Sequence, residues 1–339
     1  MQLSDGKRKG LEAIANSRGL IAALAIDQRS ALRKLFSAAT GTPADQVPRE
    51  ALENYKEAVS RVLTPYASAI LLDPELGLPA ARQRAKTAGL LLAYEQTGYD
   101  KSVFGRLPRL LDDWSVQRLM AAGANGIKTL LYYSTFSSSQ INEQKHAWVE
   151  RLGAECAAED APYFLELVAY HDEMDEKSRE FAKVKPEIVT RSMAEFSKPQ
   201  YRVDVLKVGV PVNMAFVAGV KNNGADAYTR EEAKEHFRHA SDAAKKPFIY
   251  LSEGVSNETF GDALELAAEA GSRFSGVLCG RATWKDGVPI FAKRGLHALE
   301  DWLHSEGVGN IQRVNARLEK GTPWFTRFES GTKTSRLSQ

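Results

Sequence analysis

Cysteine is scarce in this sequence, which has only Cys156 and Cys279 among its 339 residues. Two cysteines give neither a disulfide framework nor the ligand spacing of a zinc site. The N-terminal residues lack the apolar core of a secretory signal peptide. A chain without structural disulfides or a signal peptide is typical of the cytoplasm, and we expect this protein to be cytoplasmic.

Long apolar runs and an excess of one charge sign are also missing. No apolar run is long enough to cross a bilayer, so we do not expect a membrane protein. The chain has 45 Lys and Arg against 43 Asp and Glu, which leaves a net charge of +2 without a long run of either sign. This balance argues against nucleic acid or a membrane surface as a partner. The six histidines fall away from the predicted strand ends, so we expect no bound metal.

The sequence does contain short apolar segments that alternate with helical patterns. Eight of them read as strands, at residues 19–26, 67–72, 89–95, 124–133, 161–169, 203–212, 247–251 and 274–279. Alternation of strands and helices predicts parallel pairing, and eight such units favour a closed (β/α)₈ barrel, which has no exposed edge. A doubly wound open sheet is the competing fold, but no Gly-x-Gly-x-x-Gly turn follows the first strand.

The predicted organisation is a single TIM-barrel domain over residues 1–330, with extra helices at its N- and C-terminal ends. Residues 331–339 are polar, and we expect them to form a flexible tail. One helix is predicted over residues 186–195, because proline is favoured in the first turn of a helix.

Lys207 lies in the middle of the sixth apolar segment. Leu206 and Val208 flank it, so the alternation of side chains along a strand points Lys207 away from both apolar neighbours and into the barrel. A bare ammonium is costly there, and it must be paired or lose its proton. A neutral lysine amine is a nucleophile for carbonyl carbons, and this makes Lys207 the first catalytic candidate.

Three further charged residues share this pattern, namely Lys128, Glu166 and Asp27. Each alternates with apolar neighbours and should face inward, towards the end of the barrel where catalytic groups gather. One interpretation is an ion-pair network that only stabilises the barrel, although buried ion pairs are weak stabilisers. The functional interpretation is favoured by Gly209 because, on the same face as Lys207, a missing side chain leaves room beside the amine.

The last two strands end in residues that suit a phosphate group. Ser252 and Gly254 follow strand seven, and Gly280 and Arg281 follow strand eight. Glycine N–H groups, a hydroxyl and a guanidinium form a plausible phosphate pocket, in the usual place for this fold. Asp73 and Glu95 follow the second and third strands, where we interpret them as helix caps or as partners of Arg82 and Arg84, although Asp73 could instead line the mouth of the barrel.

With these residues identified, the sequence resembles the class I tagatose 1,6-bisphosphate aldolases. The similarity extends over nearly the whole chain and is carried by ALAIDQR at 23–29, LLDPELGLPA at 71–80, GLLLAYE at 89–95, TGYD at 97–100, DVLKV at 204–208, PVN at 211–213, YTREE at 228–232 and GVLCGRATW at 276–284. The resemblance implies a (β/α)₈ fold and cleavage of a ketose bisphosphate through an imine. It implies neither a metal nor a cofactor.

The resemblance also implies roles for individual residues. The Schiff-base lysine falls on Lys207, the acid–base glutamate on Glu166, the supporting lysine on Lys128 and the acidic residue of strand one on Asp27. The phosphate-binding serine and arginine fall on Ser252 and Arg281, while Gln28, Arg29 and Leu251 are further candidates for substrate contact. One departure is Glu253, where the family pattern leads us to expect a small residue.

Three alternatives to this activity follow from the same residues. A related aldolase could act on a sulfonated ketose phosphate. A barrel isomerase could use Glu166 as its base without a covalent intermediate, and a sugar-phosphate sensor could bind a ligand without turning it over. Borohydride trapping separates the isomerase from an aldolase, and turnover excludes the sensor. The sequence leaves open whether copies of the chain associate into a homo-oligomer.

Overall fold

The protein is a closed barrel of eight parallel strands in chain order, seen in a computed structural model that describes residues 3–97, 99, 103–220 and 226–328. The strands are β1 Ile21–Ala25, β2 Ala69–Leu72, β3 Gly89–Ala93, β4 Gly126–Tyr133, β5 Tyr163–Ala169, β6 Val205–Val208, β7 Phe248–Leu251 and β8 Gly276–Cys279. The barrel closes where β1 pairs with β8. The predicted (β/α)₈ fold is confirmed. The predicted tail 331–339, and positions 98 and 100 of the TGYD stretch, lie outside the described residues.

Helices surround the barrel and extend it at both ends of the chain. They are α1 Asp5–Ile14, α2 Ser30–Thr40, α3 Arg49–Leu63, α4 Leu78–Gln83, α5 Val116–Ala121, α6 Ser139–Ala158, α7 Arg179–Phe196, α8 Arg230–Ala243, α9 Asn257–Glu269, α10 Arg281–Trp284, α11 Val288–Trp302 and α12 Val308–Arg317. Helix α1 precedes the first strand, and α11 and α12 follow the last. The extra terminal helices are therefore confirmed. None of the helices in the described part of the chain is long and apolar enough to span a membrane.

The two faces of the strands belong to two separate apolar clusters. Inward residues such as Leu71, Phe164 and Ile249 fill the barrel, and Leu11 of α1 and Trp324 belong to the same cluster. Residues that point outward, such as Leu206 in β6, pack with the surrounding helices in the larger cluster. Apolar side chains therefore fill most of the barrel interior, which also contains the charged residues Lys128, Glu166 and Lys207.

Helix α7 begins earlier than the sequence predicts. It starts at Arg179, so Pro186 lies inside the helix and does not open it. Proline cannot donate the backbone hydrogen bond to the carbonyl four residues earlier, which belongs to Ala182. The Tyr228 hydroxyl donates a hydrogen bond to that carbonyl instead. The contact comes from a loop some forty residues away in sequence, so no local signal could reveal it.

A buried ion pair joins α3 to the end of β2. Lys56 pairs with Asp73, and both side chains are fully buried. Lys56 also donates a hydrogen bond of 2.8 Å to the carbonyl oxygen of Ile26, next to Asp27. Asp73 accepts a second hydrogen bond from the backbone N–H of Leu76. The interpretation of Asp73 as a partner of Arg82 or Arg84 is therefore wrong, and the pair instead fixes the chain just before Asp27.

Replacing Lys56 with methionine should cost about 3–5 kcal/mol of unfolding free energy, because Asp73 would remain buried without its counter-charge. Equilibrium unfolding in urea measures this loss. Lys34→Met on the exposed surface of α2 is the control, and should change the free energy of unfolding by less than about 0.5 kcal/mol. Equal stability of the two variants would show that the Lys56–Asp73 pair contributes nothing to the fold.

Candidate active site

Lys207 and Glu166 lie side by side inside the barrel. They are register partners on the neighbouring strands β6 and β5, so their side chains leave the sheet at the same level. The Lys207 ammonium donates to the Glu166 carboxylate at 2.8 Å, and both residues are buried. Among the described residues this is the one carboxylate that pairs with Lys207. Its amine therefore keeps hydrogens or a lone pair available for a substrate.

Lys128 is placed very differently, at the centre of three carboxylates. Its Nζ atom lies 2.6 Å from Glu95, 2.7 Å from Glu166 and 3.0 Å from Asp27. An ammonium has three hydrogens to donate, and these three acceptors can use all of them. Burial alone would lower the pKa of Lys128, but the surrounding carboxylates raise it well above its usual value. Lys128 is thus a fixed cation, and Lys207 is the lysine suited to covalent chemistry.

The three carboxylates around Lys128 differ in how readily they take a proton. Burial opposes ionisation of all three, but the charges of Lys128 and Lys207 outweigh it at Asp27 and Glu166 and lower the pKa of both. At Glu95 burial is the stronger influence, and the pKa is raised despite the neighbouring lysine. The Glu95 Oε2 atom is also buried and has no hydrogen-bond partner among the described residues. Glu95 is therefore the member of the cluster that most readily binds a proton.

Glu95 is one of the site residues that sequence reasoning missed. We interpreted it as a helix cap or as a partner of Arg82 or Arg84, and that interpretation is wrong because its carboxylate pairs with Lys128. The residue lies two positions beyond β3, where the alternation of a strand no longer fixes the direction of a side chain. One indication of its position is the pairing of β3 with β4. Ala93, the last residue of β3, is the register partner of Lys128, so the end of β3 lies close to this lysine.

Gln28 and Arg29 extend the cluster from the end of β1. The Gln28 amide donates a hydrogen bond of 3.1 Å to Asp27. Arg29 donates to the backbone carbonyl of Glu95 at 2.8 Å and pairs with Glu75 at 2.5 Å. The guanidinium therefore ties the end of β1 to that of β3, and it supplies positive charge beside the carboxylates of Asp27 and Glu95.

The candidate phosphate residues meet at the ends of β7 and β8. Gly254 packs so closely on Arg281 that an added Cβ would lie 2.7 Å from the guanidinium. Gly280 precedes α10 and also packs closely, since an added Cβ would lie 3.0 Å from the carbonyl oxygen of Ala25. Ser252 is buried after Leu251, the last residue of β7. Arg281 forms no ion pair within the described parts of the chain, so its charge is available to an anion.

The space beside Gly209 is occupied, contrary to the sequence interpretation. A Cβ at Gly209 would collide with Oε1 of Glu253, so the missing side chain accommodates this carboxylate. Glu253 in turn pairs with Lys185 of α7 at 2.7 Å. Glu253, the residue that departs from the family pattern, thus lies next to Gly209 at the end of β6, the strand that contains Lys207.

Aromatic rings line the mouth of the barrel at the ends of β4 and β5. The Tyr99 and Tyr132 rings are 4.9 Å apart, and the Arg106 guanidinium lies 4.5 Å from the Tyr170 ring. Lys145 of α6 donates to the Tyr170 hydroxyl at 2.9 Å. Burial lowers the pKa of Lys145 to about 7. Neither Arg106 nor Lys145 lies in a strand, so the alternation that revealed Lys207 could not identify this wall.

Together these groups can activate an amine and move protons around it. One oxygen of Glu166 accepts from both Lys207 and Lys128, so a proton released by Lys207 has an acceptor 2.8 Å away. No group of His, Cys, Asp or Glu side chains in the described ranges has the arrangement of a metal site. The cluster has the parts that a covalent amine mechanism needs, namely a nucleophile, an acid–base carboxyl and a fixed positive charge.

Sequence comparison identifies close relatives of the chain. The family model described as DeoC/LacD family aldolase matches residues 21–286. The tagatose 1,6-diphosphate aldolase 2 of Enterococcus faecalis is 55% identical over 316 residues, which cover 93% of this chain and 94% of the relative. The tagatose 1,6-diphosphate aldolase of Staphylococcus haemolyticus is 49% identical and covers 96% of this chain and 99% of the relative.

Structural comparison supports the fold. The fructose-bisphosphate aldolase from Plasmodium falciparum superposes with a TM-score of 0.66 at 14% identity, and the match covers 94% of this chain and 97% of that one. A Schiff-base-forming fructose-1,6-bisphosphate aldolase matches with a TM-score of 0.51 at 16% identity, over 88% of this chain and 98% of that one. At such low identity these two structures show only that the barrel architecture is shared.

Proposed function

The chain belongs to the DeoC/LacD family of aldolases, and on that premise we propose that it cleaves tagatose 1,6-bisphosphate through an imine on Lys207. The products are dihydroxyacetone phosphate and glyceraldehyde 3-phosphate. The observation that carries the proposal is the contrast between the two lysines. Lys128 is held by three carboxylates, whereas Lys207 pairs with Glu166 alone in the part of the chain that the structure describes. The names of the relatives support the choice of substrate.

The reaction begins when Lys207 gives a proton to Glu166 and attacks the C2 ketone of the substrate. The product of this attack is a carbinolamine. Glu166 then returns the proton to the departing hydroxyl, which leaves as water, and a protonated imine remains. Lys128 stays positively charged throughout, and its contact with Glu166 favours the ionised carboxylate between proton transfers.

Cleavage of the C3–C4 bond follows from the electron demand of the protonated imine. Asp27 accepts the proton of the C4 hydroxyl, the C4 carbon becomes the aldehyde, and the bonding electrons move towards the imine nitrogen to form an enamine. Asp27 then returns its proton to C3, and hydrolysis of the resulting imine releases dihydroxyacetone phosphate and regenerates Lys207. Lys128 lies between Asp27 and Glu166, which orients both carboxylates around the substrate chain.

The remaining candidate residues fit the ends of such a substrate. Ser252, Gly254, Gly280 and Arg281 would hold the phosphate beside C1, with Leu251 at the edge of the pocket. Gln28 and Arg29 would contact the part of the sugar near Asp27. We propose that residues 1–330 act as one barrel domain in the cytoplasm.

An assay coupled to dihydroxyacetone phosphate reduction tests the proposed function. We expect turnover of tagatose 1,6-bisphosphate. EDTA should not change the rate, because the protonated imine and not a metal ion accepts the electrons of the C3–C4 bond. Fructose 1,6-bisphosphate and a sulfonated ketose phosphate complete the panel. Preference for the sulfonated substrate would overturn the assignment, and the absence of turnover with every ketose would favour a sensor.

Arg281→Lys should weaken substrate binding by about 1.5–3 kcal/mol, the range for a hydrogen bond to a charged group. Lysine keeps the charge but loses the planar fork that binds two phosphate oxygens at once. Steady-state kinetics should show the loss mainly in KM. Unchanged KM and kcat/KM would show that Arg281 does not contact a phosphate of the substrate.

A further inference from the structure

The turn after β7 has an unusual backbone. The N–H of Val255 donates to the carbonyl of Ser252 at 3.0 Å, which closes a four-residue turn. Both central residues are left-handed, with φ of +49° at Glu253 and +82° at Gly254. Glycine adopts this conformation freely, but a glutamate does so at a steric cost. A strained residue beside a candidate site suggests that its side chain has a function.

The strain places the Glu253 carboxylate at the barrel mouth. Its Oε1 atom occupies the position that a side chain on Gly209 would need, and its Oε2 atom pairs with Lys185 at 2.7 Å. Gly209 lies two residues after Lys207, one position beyond the end of β6. Lys185 is almost fully buried, whereas the Glu253 side chain keeps 27% of its surface exposed. The Glu253 carboxylate is thus held by the buried Lys185 through one oxygen, while part of its surface stays exposed to solvent.

The same turn contributes to the pocket for a phosphate. Ser252 and Gly254 flank Glu253 directly, and Gly254 packs on the Arg281 guanidinium. An anion bound to Ser252 and Arg281 would therefore lie near a fixed negative charge. Like charges brought together at a binding site weaken binding, and they do so in proportion to the charge of the ligand.

We propose that Glu253 is a specificity-determining residue that limits the negative charge accepted by the phosphate pocket. Lys185 is its counter-ion and keeps the pocket usable for a phosphate ester. This inference rests on the proposed function, because it takes Ser252 and Arg281 as the phosphate-binding residues. Compared with a pocket that lacks the carboxylate, the pocket of this chain binds a doubly charged group less tightly relative to a singly charged one.

Calorimetric titration with two tetrahedral anions tests this inference without any turnover. Inorganic phosphate at pH 8 is mainly a dianion, and methanesulfonate is a monoanion. The Glu253→Gln variant should bind phosphate about three- to tenfold more tightly than the wild type. Its gain in affinity for methanesulfonate should be about the square root of that factor, because the Coulomb energy scales with ligand charge. Lys185→Met should weaken phosphate binding by a similar factor, and the double variant should return close to the wild-type affinity.

Glu258→Gln in the first turn of α9 is the matched control, because it removes the same charge from an exposed position. It should leave both affinities unchanged. The Glu253→Gly variant keeps the left-handed backbone and replaces the glutamine variant if that protein fails to fold. It should also bind phosphate more tightly than the wild type. Unchanged or weaker phosphate binding in these Glu253 variants, or an equal gain for both anions, would overturn the inference.

The proposed function can fail separately. If the anion affinities change as expected but no ketose bisphosphate is cleaved, the charge selectivity stands and the aldolase assignment falls. If the wild-type protein cleaves the substrate and the Glu253 variants bind both anions as the wild type does, the aldolase assignment stands and this inference falls.

Discussion

Lys207→Met should abolish cleavage of tagatose 1,6-bisphosphate, with a loss of roughly 10⁴ to 10⁶ in kcat, as expected when a covalent nucleophile is removed. The methionine side chain resembles that of lysine in length but has no amine to attack the ketone. Coupled-assay kinetics on the purified variant measures the loss, and circular dichroism shows whether the barrel remains folded.

Lys207→Arg is the matched control for charge. It keeps a cation beside Glu166 and preserves the pair that is seen at 2.8 Å. A guanidinium stays protonated and cannot attack the ketone, so this variant should be as inactive as Lys207→Met. If it retained turnover within tenfold of the wild type, Lys207 would act through its charge and the covalent step would lie elsewhere.

Glu166→Gln should lower kcat by roughly 10² to 10⁴, the range for one general acid–base group. The amide is nearly isosteric, and its oxygen can still accept from Lys128 and Lys207 in place of the carboxylate. It cannot carry a proton from the amine to the departing hydroxyl, so dehydration of the carbinolamine should be slow. Rapid quenching with borohydride measures the rate of imine formation directly.

Glu95→Gln is the control for this variant, because Glu95 contacts Lys128 but is not paired with Lys207. It removes a carboxyl from the same cluster and should leave imine formation much faster than in Glu166→Gln. If Glu166→Gln formed imine at the wild-type rate and lost only cleavage, its carboxyl would act after dehydration.

The barrel and most of its charged interior could be predicted because both depend on local pattern. Strand and helix alternation gave the (β/α)₈ fold, and period-two alternation indicated the inward direction of Lys207, Glu166 and Lys128. These residues lie within regular strands, where backbone geometry fixes which way a side chain points. The same reasoning placed Ser252 and Arg281 at neighbouring strand ends, where the structure brings their turns together.

The features that escaped prediction depend on contacts between distant segments. Glu95 lies beyond its strand, so its direction is set by Lys128 on the next strand. Pro186 can lie inside α7 because the Tyr228 hydroxyl bonds to the carbonyl that proline leaves free. The position of the Glu253 carboxylate depends on a left-handed backbone and on Lys185 from another helix. None of these partners is visible from local periodicity or turn chemistry.

Borohydride trapping with dihydroxyacetone phosphate, followed by peptide mass spectrometry, tests the central claim most directly. Reduction of the imine should inactivate the enzyme and add the mass of the reduced triose phosphate to the peptide that contains Lys207. The Lys207→Arg variant should remain unlabelled under the same conditions. A label on Lys128 or on another lysine, or sustained turnover without any label, would contradict the account.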